Sequence, residues 1–240
     1  MLNTLKAIPA RTYILIVLAL GIIGGGFYIF SELGEEVLEN EKFMIDRQAA
    51  DYAENLATPE IKTFFAWITE LGSVWVLTAG SFIMLGVLWY FYNRNKWKII
   101  YFVIAMGGVT ILVSGLKAAF SRDRPNILEE YDGTGYSFPS GHSTAPIVFY
   151  GFIIYLVIRS KLNALAKWLI NIFLGILILL IAFSRLPLGV HYFTDVIGGL
   201  ALGLTWLVTC IAILEVTLWH RGRIAKKLEN EETPSKFNTK

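Results

Sequence analysis

The chain has 240 residues, of which 55% are hydrophobic and only 17% charged, and its mean hydropathy is +0.56. A soluble domain usually carries about a quarter charged residues, and a net charge of +2 gives no ground for a nucleic-acid partner. The single cysteine, Cys210, lies in an apolar run, which excludes an internal disulfide and points to a buried, inert thiol.

Apolar residues gather in runs close to the roughly 20 residues that a helix needs to cross a hydrocarbon core of about 30 Å. Six are read as spans: Thr12–Phe30, Gly72–Tyr92, Trp97–Phe120, Thr144–Ile158, Ala166–Leu186 and Phe193–Val216. The fourth is short, and its helix is expected to begin near Ser140. The first is long and lacks a small-x-small cleavage site in "GGGFYIFSELGEE", so it reads as a retained helix rather than a secretory signal. The expected fold class is all-α, a polytopic membrane protein built as a six-transmembrane-helix bundle. The Gly-rich stretches "GIIGGG", 107–108 and "GGLALG" suit close helix packing. Trp75, Trp89, Trp97, Trp168 and Trp219 fit interfacial belts.

The loops carry the orientation. Segments 93–98, 159–167 and 221–227 are basic, as are Lys6 and Arg11, whereas 31–60 is rich in Asp and Glu. Basic loops favour the cytoplasmic side, so both termini are expected inside, leaving 31–71, 121–143 and 187–192 outside. Within 31–71, "VLENEKFMIDRQAADYAENL" spaces Val37, Leu38, Phe43, Met44, Ile45, Ala49 and Tyr52 at nearly helical intervals among charges. An extracytoplasmic amphipathic helix between spans 1 and 2 is expected there, lying at the outer interface. Residues 1–228 then form one membrane-embedded domain, and 229–240 a flexible cytoplasmic tail.

Three polar stretches fall at the same outer level. Span 3 ends in "LKAAFSRDRP", with Lys117 separated by six residues from Arg124-Pro125; "SFPSGH" supplies Ser140, Gly141 and His142; span 5 ends in "SRLPLGVHYFTD", with Arg185, His191 and Asp195. Cations at a membrane interface are costly unless paired, and Asp123 and Asp195 are the only acids in these stretches. An anion is the natural partner. Arginine presents a planar fork to phosphate oxygens and lysine a point charge. Ser140 offers a hydroxyl, and Gly141 lets a backbone N–H approach where a helix start would also favour an anion. His191 and Asp195 are four apart and share a helix face, so the carboxylate can fix one ring nitrogen and leave the other nucleophilic. His142 is placed to protonate a leaving oxygen.

Taken singly, these residues have plainer readings. Lys117 could snorkel, His191 and Asp195 could be a structural pair, and "PSG" could be a turn. For Arg122, a pairing with Asp123 or with headgroups is the better reading. For Glu70, just before span 2, it is a helix-end position.

Together, Lys117-x6-Arg124-Pro125, Pro139-Ser140-Gly141-His142 and Ser184-Arg185-x5-His191-x3-Asp195 resemble the three-part signature of the type-2 phosphatidic acid phosphatase superfamily, and the six-span layout is similar too. The resemblance implies a metal-independent lipid phosphatase with no cofactor, acting on a lipid phosphate in the bilayer through a phosphohistidine. His191 would attack, Asp195 orient it and His142 protonate the leaving group. Lys117, Arg124, Ser140, Gly141 and Arg185 would hold the phosphate. Two rivals remain: a zinc-dependent membrane hydrolase using His142, His191 and Asp195, and a non-catalytic anionic-lipid binding or transport protein. Neither the substrate lipid nor any protein partner is legible.

Overall fold

The structure, a computed structural model, describes residues 10–39, 43–92, 96–125, 131 and 134–232. Its helices are α1 (Ala10–Leu38), α2 (Met44–Leu56), α3 (Pro59–Glu70), α4 (Val74–Tyr92), α5 (Lys96–Phe120), α6 (Gly141–Ile158), α7 (Ala164–Ser184) and α8 (Phe193–Glu232). Among the described residues, six helical segments are long and apolar enough to cross a membrane: Thr12–Leu38, Pro59–Phe91, Lys96–Phe120, Gly141–Ile158, Ala164–Ser184 and Phe193–Ile224. The protein is a multi-pass, all-helical membrane protein.

The fourth span begins at Gly141, as its short apolar run required. Two others outrun their apolar windows. Helix α1 continues through the acidic residues to Leu38, and α8 continues to Glu232. Helix geometry persists beyond the hydrocarbon wherever no breaker intervenes, and neither extension contains a proline. Residues 229–232 are therefore helical, and 233–240 lie outside the described residues.

The segment 31–71 is divided rather than a single helix. Its first residues complete α1, and α2 and α3 follow. Thr58 starts α3, its side chain accepting a hydrogen bond from the Ile61 amide at 3.4 Å, with Pro59 next at the first helical position. Leu71–Ser73 separate α3 from α4. On α2, Met44, Ile45 and Tyr52 are exposed while Asp46 is buried. The helix thus turns a charge inward and several apolar side chains outward.

Helix α6 is the axis of the bundle. Of its apolar window 61% is buried, against 17% for α5 and α7 and none for α1. It packs between α7 and α8 and against α5, while α1 lies along α8. Phe102, Phe149, Phe152 and Tyr155 fill the centre, with Phe152 edge-on to both Phe102 and Tyr155. Two glycines of "GGLALG" permit close approach: a Cβ on Gly199 would stand 2.7 Å from the Ser140 carbonyl oxygen, and one on Gly203 would stand 2.8 Å from that of Thr144. In "GIIGGG", Gly21, Gly24 and Gly25 meet nothing within 4 Å, but a Cβ on Gly26 would collide with Thr205 Oγ1 and stand 3.1 Å from the Ala201 carbonyl oxygen of α8. Cys210 is buried, and Trp75, Trp89, Trp168 and Trp219 are exposed.

Candidate functional site

Four helix ends and one connection build the site. Helix α5 stops because Ser121 turns left-handed at φ 48°, with its amide donating to Lys117 O at 3.0 Å. The chain then runs through Arg122 and Arg124 across the end of the bundle. Ser140 is the residue before α6, and Arg185 the residue after α7. Asp195 sits in the first turn of α8.

The second and third motifs are joined through the main chain. The Ser140 amide donates to the Asp195 carbonyl at 3.0 Å, and Ser140 O accepts from the Ser143 and Thr144 amides at 3.2 and 3.0 Å. Ser140 is fully buried, and its hydroxyl oxygen has no hydrogen-bond partner among the described residues. A Cβ on Gly141 would meet only Val113, at an ordinary 3.7 Å. Protein packing does not require that glycine.

His191 is almost wholly buried, and its Nδ1 lies 3.2 Å from Asp195 Oδ2. That oxygen also accepts from the Tyr192 amide at 2.9 Å. On the far side of the ring, Nε2 lies 3.0 Å from Arg124 Nη1. A guanidinium only donates, so Nε2 is the acceptor and the proton resides on Nδ1, facing the carboxylate. Burial first, and then the cations Arg124, Arg185, Lys117 and Arg122, hold the His191 pKa well below its ordinary value. The imidazole is therefore neutral at pH 7, with its lone pair pointing towards a cluster of positive charge.

The remaining groups converge on the same place. Arg124 is braced by the carbonyls of Thr134, Gly135, Tyr136 and Val190, the last at 2.8 Å. Arg185 is fully buried; its Nη1 donates to Thr69 Oγ1 at 2.7 Å, and its Nη2 donates to the Tyr131 carbonyl. Lys117, in the last turn of α5, interacts electrostatically with Arg124, Asp195 and Arg185. His142, the second residue of α6, lies in the field of Arg185, His191, Lys117 and Arg124. Every residue of the three motifs thus belongs to one end of the bundle. Glu70 is exposed at the end of α3, a helix-end position as expected.

Arg122 departs from the expectation. It does not pair with Asp123, which is exposed, and it does not face outward. Instead it bridges Asp46 at 2.7 Å and Asp195 at 2.6 Å. The reason is steric as well as electrostatic: the ring of Tyr192 lies 4.2 Å and that of Phe43 5.4 Å from its guanidinium carbon. These rings hold the side chain over the site. Asp46, Thr69 and Thr194, which touch motif residues or Arg122, were also missed. Asp46 had one faint signal, a carboxylate within an otherwise apolar face of α2.

Residues 98–219, which contain all three motifs, match the PAP2 superfamily. Phosphatidylglycerophosphatase B of Bacillus subtilis is 30% identical over 179 residues, covering 74% of this chain and 87% of that protein. Undecaprenyl-diphosphatase of Sulfolobus acidocaldarius is 37% identical over 133 residues, covering 55% and 57% respectively. Among solved structures, the transmembrane PAP2-type phosphatidylglycerolphosphate phosphatase of Bacillus subtilis superposes with a TM-score of 0.72 at 25% identity, covering 81% of this chain and 96% of that one. The convergence of three motifs at one end of six spans, the matched segment that contains them and the shared architecture lead to one statement: the chain belongs to the PAP2 superfamily of membrane lipid phosphatases.

Proposed function

We propose that this protein hydrolyses a phosphate monoester or diphosphate of a membrane lipid, without a metal, through a phosphohistidine at His191. The observation that carries this reading is the double engagement of the ring, with Nδ1 on Asp195 and Nε2 facing Arg124. A phosphate drawn in by Arg124 would arrive at the ring nitrogen that carries the lone pair.

In the first half-reaction Nε2 forms a bond to phosphorus as the bond from phosphorus to the lipid oxygen breaks. His142 gives its proton to that oxygen. Asp195 holds the Nδ1 proton while the ring acquires positive charge. In the second half-reaction water attacks the phosphorus, His142 takes the water's proton, and His191 leaves with its lone pair restored. Lys117, Arg124 and Arg185 neutralise the phosphoryl oxygens, with the Ser140 hydroxyl and the Gly141 amide as further donors.

The relatives named for phosphatidylglycerophosphate and undecaprenyl diphosphate support a lipid phosphate as the substrate class. The acidic 31–60 segment and the basic loops on the opposite side support an extracytoplasmic site with both termini in the cytoplasm, and the exposed apolar residues of α2 support its lying at the outer interface. The lipid tail would stay in the bilayer and reach the site laterally. A zinc site at His191 is disfavoured by the guanidinium 3.0 Å from the nitrogen that would ligate it.

The test is phosphate release by detergent-purified protein in excess EDTA on phosphatidylglycerophosphate, undecaprenyl diphosphate, phosphatidate and lysophosphatidate, with His191→Ala alongside. Turnover that survives EDTA and disappears in the variant is the expected result. Turnover retained by His191→Ala removes the nucleophile, and silence on all four lipids returns the choice to binding or transport.

A further inference from the structure

Arg122 and Asp46 belong to none of the three motifs, and Asp46 lies outside the segment that matches the superfamily. Both are nonetheless tied to the reacting pair. Asp195 divides its oxygens between two tasks. Its Oδ2 faces His191 and the Tyr192 amide, while Oδ1 receives Arg122 Nη1 at 2.6 Å. Without that second hold, the carboxylate could rotate about its last side-chain bond and carry the imidazole with it.

Arg122 is itself held. Its Nη2 donates to Asp46 Oδ2 at 2.7 Å and its Nη1 to Thr194 Oγ1 at 2.8 Å; Thr194 Oγ1 in turn donates to Asp46 Oδ2 at 2.8 Å. The other Asp46 oxygen accepts the Thr194 amide at 2.8 Å. That amide lies in the first turn of α8, where N–H groups lack partners within the helix. Asp46 therefore caps the helix that carries Asp195, from a different helix. The main chain of Arg122 is fixed too, its carbonyl accepting the Ser137 amide at 2.8 Å. The side chains of Asp46, Arg122 and Asp195 are 6%, 14% and 0% exposed, so this ring of charge is little screened by solvent.

The charge arithmetic gives Asp46 a second effect. A lone guanidinium on Asp195 would compete with His191 for the carboxylate. Two carboxylates share this one, so Asp195 keeps negative charge for the ring when it becomes cationic.

We propose that Arg122 and Asp46 are positioning residues of the reaction: Arg122 sets the Asp195 carboxylate, and Asp46, reaching in from α2, sets Arg122 and the start of α8. The proposal rests on His191 and Asp195 being the reacting pair. Helix α2 is then a working part of the site rather than a linker between spans.

The test uses full-length protein in detergent on whichever of the four lipids wild type turns over fastest. Asp46→Asn is nearly isosteric and removes only the charge. Arg122→Gln removes the fork's charge, and Arg122→Lys keeps the charge without the fork. Misplacing a reacting group by a fraction of its working distance can cost up to about 100-fold. We expect kcat to fall by about that factor in Arg122→Gln and by about tenfold in Asp46→Asn. KM and the inhibition constant of inorganic phosphate, which read Lys117, Arg124 and Arg185, should stay within twofold or so. Arg122→Lys should be no better than Arg122→Gln.

Normal kcat in Asp46→Asn, full rescue by Arg122→Lys, or a parallel loss of phosphate inhibition and melting temperature would overturn the proposal. His191→Ala runs in the same assay. Its activity, or a silent wild type, would sink the phosphatase reading itself. Inactive His191→Ala beside fully active Asp46→Asn would sink this inference alone.

Discussion

Arg124 Nη1 stands 3.0 Å from His191 Nε2, so the nitrogen assigned to attack phosphorus is engaged by the cation assigned to deliver it. In the proposed reaction this contact would order events: an arriving phosphate would take over the donor's hydrogen, and the lone pair would be released only when something is present to attack.

This arrangement sets the pH dependence. Protonating His191 would both remove the nucleophile and confront Arg124 with a second cation. Because burial and the surrounding cations hold the His191 pKa well below its ordinary value, the acid limb of kcat/KM should lie below about pH 6.5. Arg124→Gln removes the largest Coulombic contribution, so the limb should move to higher pH in that variant. The same sign applies to stability. The folded state binds this proton less readily than the unfolded state, so the contribution is intact above about 6.5 and is lost as pH falls through the depressed folded value. Rate and melting profiles recorded over the same pH series check both.

Asp195→Asn tests the tautomer. An asparagine keeps the shape but can present an N–H to the ring, and Nδ1 would then turn acceptor and pass its proton to Nε2. Loss of kcat should be on the order of 10⁴-fold, the scale seen when a triad aspartate is replaced in this way. KM should change far less.

Vanadate adopts the five-coordinate geometry of phosphorus in transit, so it should inhibit competitively by binding Nε2 among the three cations. Indifference to vanadate at concentrations well above those that inhibit other phosphohistidine enzymes would count against the mechanism.

Thr69 offers a separate handle on phosphate binding. Its hydroxyl accepts from the fully buried Arg185 at 2.7 Å. Thr69→Val preserves shape and leaves Nη1 without that acceptor, which costs about 1–3 kcal/mol. The expected signature is a raised KM and a lower melting temperature, with kcat changed less than KM.

Gly199→Val probes the frame. A Cβ there would stand 2.7 Å from the Ser140 carbonyl, and backbone cannot swing aside as a flexible side chain can. Overpacking of this kind costs about 1–3 kcal/mol. It should appear as a lower melting temperature together with impaired turnover, since the displaced carbonyl belongs to the residue just before α6.

Much of this site was legible because topology does the assembling. Lys117, Ser140 and Arg185 are far apart in sequence, yet span length alone brings them to one level, and the four-residue step from His191 to Asp195 follows from helix geometry. For Arg122 the sequence alone offers only its neighbour Asp123 or the headgroups as partners. The partners it takes, Asp46 and Asp195, are 76 and 73 residues away, and no local pattern encodes such a pairing. The division of 31–71 was hidden for a related reason. Charged residues end an apolar window without ending a helix, so α1 ran on through Glu32, Glu35 and Glu36 where hydropathy had stopped.

The bond from the Ser140 amide to the Asp195 carbonyl uses no side chain. Replacing His191 or His142 should silence the proposed reaction, and that bond would still fasten the two halves of the pocket together. Such variants become snares: a membrane extract passed over immobilised His191→Ala protein should leave behind the lipid whose phosphate fits, and mass spectrometry of what remains would name the physiological substrate without a candidate having to be chosen in advance.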